Sequence, residues 1–248
     1  TYNKRHLFIH SSFSKNPNIK KINFSPSKMI PNEVLDGYSK ELNNKCNLKS
    51  KYDIVYYTGL GAPNWSPYDE KLGGSEQAVY HLVKEWVKMG YSVAVYGDFD
   101  ENVILKTRDD IGNGDYLNFK DFKCSVEYDN LILWRLYGSH PLLSWPIKAK
   151  KIFIDLHDSI RLNDSFIDNI DKVSHIMVKS NFHAETICNH YQNENLREKM
   201  LIVQNGVRVS EFTPRGAIER DPYRFCWCSC YKRGLMYTLG YMWPIIKH

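Results

Sequence analysis

The sequence predicts a doubly wound α/β domain built on a parallel sheet. Three observations carry that prediction: short apolar runs of β type recur along the chain, helical patterns lie between several of them, and the first run is followed by a glycine-rich loop that opens a helix. The first run is YDIVYYTGL, starting at Tyr52 and ending in Gly59 and Gly61. A loop, GAPNWSPYDEKLGG, leads into a helix expected over about residues 76–89, where Val79, Leu82, Val83, Trp86 and Val87 recur at helical spacing and turn one apolar stripe toward a core. Gly90 terminates this helix, and YSVAVYGDF supplies a second strand ending near Gly97 and Asp98. Strand, helix, strand is the unit of a parallel sheet. The runs NLILWRLY, KKIFIDLHD, VSHIMVKS and MLIVQNGV continue the series, with a helical pattern around Phe182 to Tyr191.

Either side of this body the character changes. Residues 1–50 have weak periodicity and contain Pro17, Pro26 and Pro31 among many Asn, Ser and Lys residues; they are expected to form a polar, partly extended leader with one short helix near Asn32 to Asn43. The Rossmann-type body is expected over 51–221. Residues 222–248 are expected to begin a second, truncated domain, since a domain with its own core needs several times that length. In this tail, Cys226, Cys228 and Cys230 alternate in CWCSC, so on a strand they share one face and do not pair with one another; buried, reduced thiols are expected. Trp243–Pro244 is expected to end or kink the helix that carries Leu235, Leu239 and Met242, and the apolar strand and helix are expected to dock or to promote association.

Composition narrows the function classes. At 43% hydrophobic and 14% aromatic the chain is globular in character, and no run approaches the length of a membrane span. No signal-peptide pattern opens the sequence and the cysteines read as reduced, so an intracellular protein is expected, with peripheral membrane contact still compatible. The net charge of +5 is concentrated in residues 1–50, which hold nine Lys/Arg against three Asp/Glu, so the body is almost neutral and nucleic-acid binding is not expected. A dinucleotide fingerprint fails: GLGAPN after the first strand has Asn64 where the third glycine belongs. No metal site is expected, because the DFD of Asp98 to Asp100 falls in a surface turn after the second strand.

In a doubly wound sheet, ligands sit at the carboxyl ends of the strands. That rule gathers onto one rim Gly59, the Gly73–Gly74 loop, Arg135, His157 with Asp158, Ser180 with Asn181, and Asn205 with Gly206. Gly73 and Gly74 carry no Cβ, so backbone can come close to a ligand there, and Ser75 is expected to cap the helix; its free N–H groups suit a phosphate or carboxylate.

The segment KLGGSEQAVYHLVKEWVKMGYSVAVYGDF resembles the opening of glycosyltransferase family four, with its Gly-Gly loop, long helix and following strand. IDLHDS is similar to the family's strand ending in His-Asp, VSHIMVKSNFHAETI to its strand with a Ser-x-x-His/Arg helix start, and IVQNGVRVSEFTP to its Asn-Gly-Val interdomain segment. YRFCWCSCYKRGLMYTLGYMWPII is similar to the start of the family's second domain. The resemblance runs from about Tyr52 to Ile246 and implies a two-domain, Rossmann-like GT-B fold. It also implies retaining transfer of a sugar from a nucleotide-sugar donor, a co-substrate and not a cofactor, to a carbohydrate, glycan or glycoconjugate acceptor.

By that resemblance His157 is the catalytic residue beside the transferred sugar. Gly73 and Gly74, together with Ser229, Lys232 and Arg233, grip the donor diphosphate, and Arg135, Asp158, Ser180, Asn205 and Gly206 line the acceptor side of the cleft. The family's Glu-x7-Glu segment has no counterpart here, which leaves most of a donor site out of this sequence. The alternative is a non-catalytic module that keeps the fold and binds sugars or a partner protein.

Overall fold

The computed structural model describes residues 48–59, 65–70, 72–110, 112–135, 141–158, 167–207, 209, 221, 223–229 and 234–246. The expected short helix near Asn32 to Asn43 therefore lies outside the described residues, as do Lys232, Arg233 and Cys230. By contacts the chain divides into two units, one ending at Gly206 and one beginning at Val207.

The first unit runs β1 (Ile54–Gly59), α1 (Gly74–Lys88), β2 (Val93–Gly97), α2 (Glu101–Asp109), β3 (Asp115–Asn118), β4 (Glu127–Trp134), β5 (Lys148–Asp155), β6 (His175–Val178), α3 (Asn181–Tyr191) and β7 (Met200–Ile202). All the strand pairings are parallel, and the seven strands lie in the order β3-β2-β1-β4-β5-β6-β7. The sheet is Rossmann-like: chain order runs outward to one side from β1 and then to the other from β4. The crevice over the carboxyl ends of β1 and β4 is thus the switch point where such sheets take ligands.

Sequence alternation places the core on both faces. Ile54 and Tyr56 of β1 face α1 with Val93, Val95, Ile132 and Trp134, where Val79 and Val83 of α1 are fully buried against them. Val55 and Tyr57 face the other way, with Leu131, Leu133, Ile152, Ile154, Ile176 and Val178, and there Ala184, Ile187 and Cys188 of α3 cover the sheet. Burial on both sides explains why β1 is a continuous apolar run. Met89 and Gly90 close α1, with the Gly90 N–H donating to the Val87 carbonyl at 2.9 Å.

β3 is a strand that the apolar runs do not reveal. Its sequence, DYLN, is short and half-buried and sits just behind Gly112 and Gly114, so it reads as loop; its pairing with β2 makes it a strand. Gly114 has φ +71, and a Cβ there would stand 2.9 Å from Val83 Cγ1 and 3.1 Å from the Val93 carbonyl oxygen, so glycine lets β3 enter beside α1. At the other end, Lys49 forms a parallel bridge with Glu127, so the close of the leader joins the sheet next to β4.

Two local expectations are corrected, and one of the two outcomes expected at Trp243–Pro244 does not occur. Ser75 is not the α1 cap: the helix starts two residues earlier, Gly73 takes the extended cap position with φ −63 and ψ 156, and its carbonyl accepts from Gln77 N at 2.9 Å. Ser75 lies inside the first turn, where its hydroxyl faces Glu76. In the second unit, CWCSC is not a strand among the described residues, and Cys226 and Cys228 are exposed free thiols rather than buried ones. A strand needs a partner to satisfy its N–H and C=O groups, and no described segment of that unit supplies a ladder; Phe225 instead meets Trp243 edge-on at 5.3 Å. Of the end or kink expected at Trp243–Pro244, the end does not occur, because helix continues over Trp243–Ile246. The α-helical turn Leu235–Tyr237 opens into a π turn over Thr238–Met242 and resumes as α-helix over Trp243–Ile246, a re-registration that accommodates the proline's missing donor.

The packing makes a direct stability prediction. Leu131 is wholly buried between β1 and β5, so Leu131→Ala is expected to cost about 2–5 kcal/mol in a urea unfolding titration. Leu105→Ala on the exposed side of α2 should stay within about 0.5 kcal/mol of the parent.

Candidate functional site

A cluster of charged side chains of the first unit forms where β4, β5 and β6 end. β5 alternates Ile152 and Ile154 toward one face with Phe153 and Asp155 toward the other, so Asp155 lands on the α1 face at the last position of its strand. Its carboxylate is only 1% exposed, a burial that demands partners. Three donors meet it. Tyr56 on β1 donates its phenol O–H to Oδ2; His157, in the loop after β5, places Nε2 2.9 Å from the same oxygen; and Lys179, just past β6, places Nζ 2.7 Å from Oδ1. Burial alone would raise this carboxyl, but the hydrogen bond and charge of His157, together with Lys179, outweigh it and hold Asp155 below the ordinary carboxylate range. Tyr56 moves oppositely: burial first, then the Asp155 charge and hydrogen bond, push its phenol well above its usual value.

A second set of contacts ties this cluster to α1. Arg135 follows β4 with φ +46, an uncommon conformation for a side chain of its size, and its backbone N–H donates to the Asp155 carbonyl at 2.9 Å. Its guanidinium lies over the Trp134 ring, 5.0 Å from the centroid, donates to Asp158 and stands 3.7 Å from Glu76 Oε1. Glu76 is in the first turn of α1 and its carboxylate lies against Gly73: a Cβ at that position would sit 2.2 Å from Glu76 Oε2, so the end of the Glu76 side chain would have to move. The carboxylate nearest the start of α1 therefore belongs to the chain itself, pinned there by Arg135. Gly74 is open, with nothing within 4 Å of a Cβ built there.

Of the residues expected on the rim, Arg135, His157 and Asp158 are brought together, and Gly73 joins them through Glu76 and Arg135. Ser180 is adjacent but occupied, since it caps α3 by accepting from His183 N at 3.1 Å, while the Lys179 N–H donates to His183 Nδ1 at 3.3 Å. Asn205 and Gly206 are exposed beyond β7, two places from β5 across the sheet. Ser229 belongs to the second unit, and Lys232 and Arg233 lie outside the described residues. Asp98 and Asp100 follow β2 as the surface-turn reading has it, with Asp100 capping α2 by accepting from Val103 N at 2.9 Å. Among the described residues no group of three His, Cys, Asp or Glu is placed to hold a metal ion.

Four residues of the cluster were not legible as site residues: Tyr56, Glu76, Asp155 and Lys179. Asp155 alone had a usable signal, an acid at the apolar end of a β run on the side opposite its neighbours Ile154 and Leu156. Electrostatically the cluster holds more carboxylates than cations, because Arg135 and Lys179 face the three acids Glu76, Asp155 and Asp158. Such a wall offers a ligand oriented acceptors and donors more than it offers net positive charge. The His157 imidazole is 4% exposed and edge-on to Trp134, with ring centroids 6.3 Å apart, so its orientation is set by packing as well as by Asp155.

Asp155 generates a pH prediction. Its folded-state carboxyl titrates below its unfolded value of about 3.9, so its contribution to stability is complete above that value and is lost as pH falls through the folded one. Urea midpoints measured across the acid range should show this loss in the parent, and Asp155→Asn should remove that component of the acid dependence. The same substitution should cost about 3–5 kcal/mol near neutral pH by leaving Lys179 without its buried counter-charge. No family model, curated protein or solved structure matches the chain, so the parallel α/β sheet is the level at which it is classified.

Proposed function

We propose that the chain is a glycosyltransferase, or the acceptor-side half of one, that moves a sugar from a nucleotide-sugar donor to an acceptor hydroxyl with retention of anomeric configuration. The observation that carries this reading is the placement of His157 after β5, backed by buried Asp155 and flanked by Arg135 and Asp158, beside the switch point of the sheet. The ordered sequence likenesses from Tyr52 to Ile246 support it independently.

In such a transfer the bond from the anomeric carbon to the diphosphate breaks and its electron pair leaves with the nucleotide, while the acceptor oxygen bonds to that carbon on the same face and its proton passes to the departing diphosphate. An imidazole held by a carboxylate suits that chemistry as an orienting group, because a hydrogen bond to a sugar hydroxyl positions the ring as its anomeric centre becomes oxocarbenium-like. Arg135 and Asp158 offer a donor and an acceptor side by side, the pairing by which polar side chains grip adjacent hydroxyls.

A second reading has its own observation. Because Glu76 and Asp158 already engage Arg135, the edge of the first unit has little uncommitted positive charge, which favours an uncharged sugar ligand and a binding module without donor chemistry.

Isothermal titration with a panel of nucleotide-sugars and neutral oligosaccharides, followed by a transfer assay with any pair that binds, separates the readings. Sugar binding that His157→Ala weakens by about tenfold or more, the scale of one lost hydrogen bond, is the expected result. Binding of neutral sugars without turnover in a chain carrying a complete second domain would favour the module, and no response to any sugar would end both.

A further inference from the structure

The donors around Asp155 determine which nitrogen of His157 carries the proton. Oδ1 of Asp155 accepts from Lys179 at 2.7 Å and Oδ2 accepts from Tyr56, so both carboxylate oxygens are already acceptors when the ring arrives at Oδ2. An ionised carboxylate has no hydrogen to give, and Tyr56, 0% exposed and committed to the same oxygen, has none to spare. The contact at 2.9 Å between Oδ2 and His157 Nε2 is therefore a hydrogen bond only if Nε2 is the N–H. In the neutral ring the other nitrogen, Nδ1, then holds a lone pair, and among the described residues no hydrogen-bond partner occupies it.

We infer that Asp155, kept as an acceptor by Lys179 and Tyr56, is a positioning residue that fixes His157 as the Nε2–H tautomer, so that the atom offered to a ligand is Nδ1 acting as a hydrogen-bond acceptor for a hydroxyl. The inference rests on the sugar-binding reading only for the identity of the ligand; the tautomer itself is a property of the unliganded chain. It assigns a division of labour: His157 touches the ligand, Asp155 acts through His157, and Lys179 acts through Asp155. Trp134 adds the steric part by packing against the imidazole and limiting its rotation away from Asp155.

Long-range 1H–15N correlation spectra of the imidazoles at pH 8 test this without any ligand. The His157 signals are identified among the nine histidines by their loss in His157→Gln. The expected pattern is a protonated Nε2 and a lone-pair Nδ1; a proton on Nδ1, alone or together with Nε2, overturns the inference. Tyr56→Phe should leave the pattern unchanged, because Asp155 is still an acceptor. Asp155→Asn brings an amide N–H₂ among the donors and should abolish exclusive Nε2 protonation; an unchanged pattern in a folded Asp155→Asn chain also overturns the inference.

Ligand binding supplies the functional arm. The carboxamide oxygen of asparagine falls near the Nδ1 position and that of glutamine near Nε2, so His157→Asn should retain about tenfold more sugar affinity than His157→Gln, and equal or reversed losses count against Nδ1. An Nε2–H chain that binds no sugar would sink the sugar reading alone, whereas sugar binding by a chain protonated on Nδ1 would sink this inference alone.

Discussion

A single buried carboxylate organises the carboxyl edge of the sheet. Asp155 cannot stay ionised at 1% exposure unless donors surround it, and those donors come from three separate places: Tyr56 within β1, Lys179 after β6 and His157 in its own loop. Satisfying one residue thus ties together strands that are not neighbours, because β4 lies between β1 and β5. The backbone joins in, since the carbonyl of Asp155 receives the N–H of Arg135 and so holds the left-handed turn from which Arg135 reaches Glu76 and Asp158. Lys179, His157 and Arg135 are thereby held in relation to one carboxylate.

The same logic explains why the start of α1 looks different in context from how it looks in sequence. Two glycines before a helix are an open anion cradle only if nothing of the chain's own fills it. Glu76 fills part of it, since its carboxylate lies where a Gly73 side chain would have to be, and Arg135 keeps it there. The glycine serves an internal contact on one side, while Gly74 leaves backbone accessible on the other. An edge with three carboxylates against two cations recognises hydroxyls by geometry more readily than it attracts phosphate by charge.

The second unit obeys a different constraint. Met236, Tyr237, Tyr241 and Ile245 stand more than two thirds exposed around a short helical path, an apolar surface that no described residue of its own unit covers. The CWCSC segment shows why alternation is insufficient evidence for a strand: the period can be perfect, yet without a neighbouring ladder the backbone groups have nothing to pair with. The alternation of Val55 with Tyr56 succeeds because β2 and β4 flank β1 on both sides.

What the sequence determined by itself is the architecture. Short apolar runs interleaved with the α1 stripe of Val79 and Val83 pointed to a parallel sheet covered on both faces, and chain order alone assigned Arg135, His157 and Asp158 to one rim, because every parallel strand delivers its carboxyl end to the same edge. Local signals were weaker where competition is short-range: Ser75 and Gly73 both make acceptable caps, and β3 is too brief to show a period. Only the tertiary structure could decide the partners of the charges. Tyr56 and Asp155 are ninety-nine positions apart, Lys179 is twenty-four beyond Asp155, and Glu76 meets Arg135 across the switch point; such pairings depend on strand order and side-chain reach, which no local pattern of residues encodes.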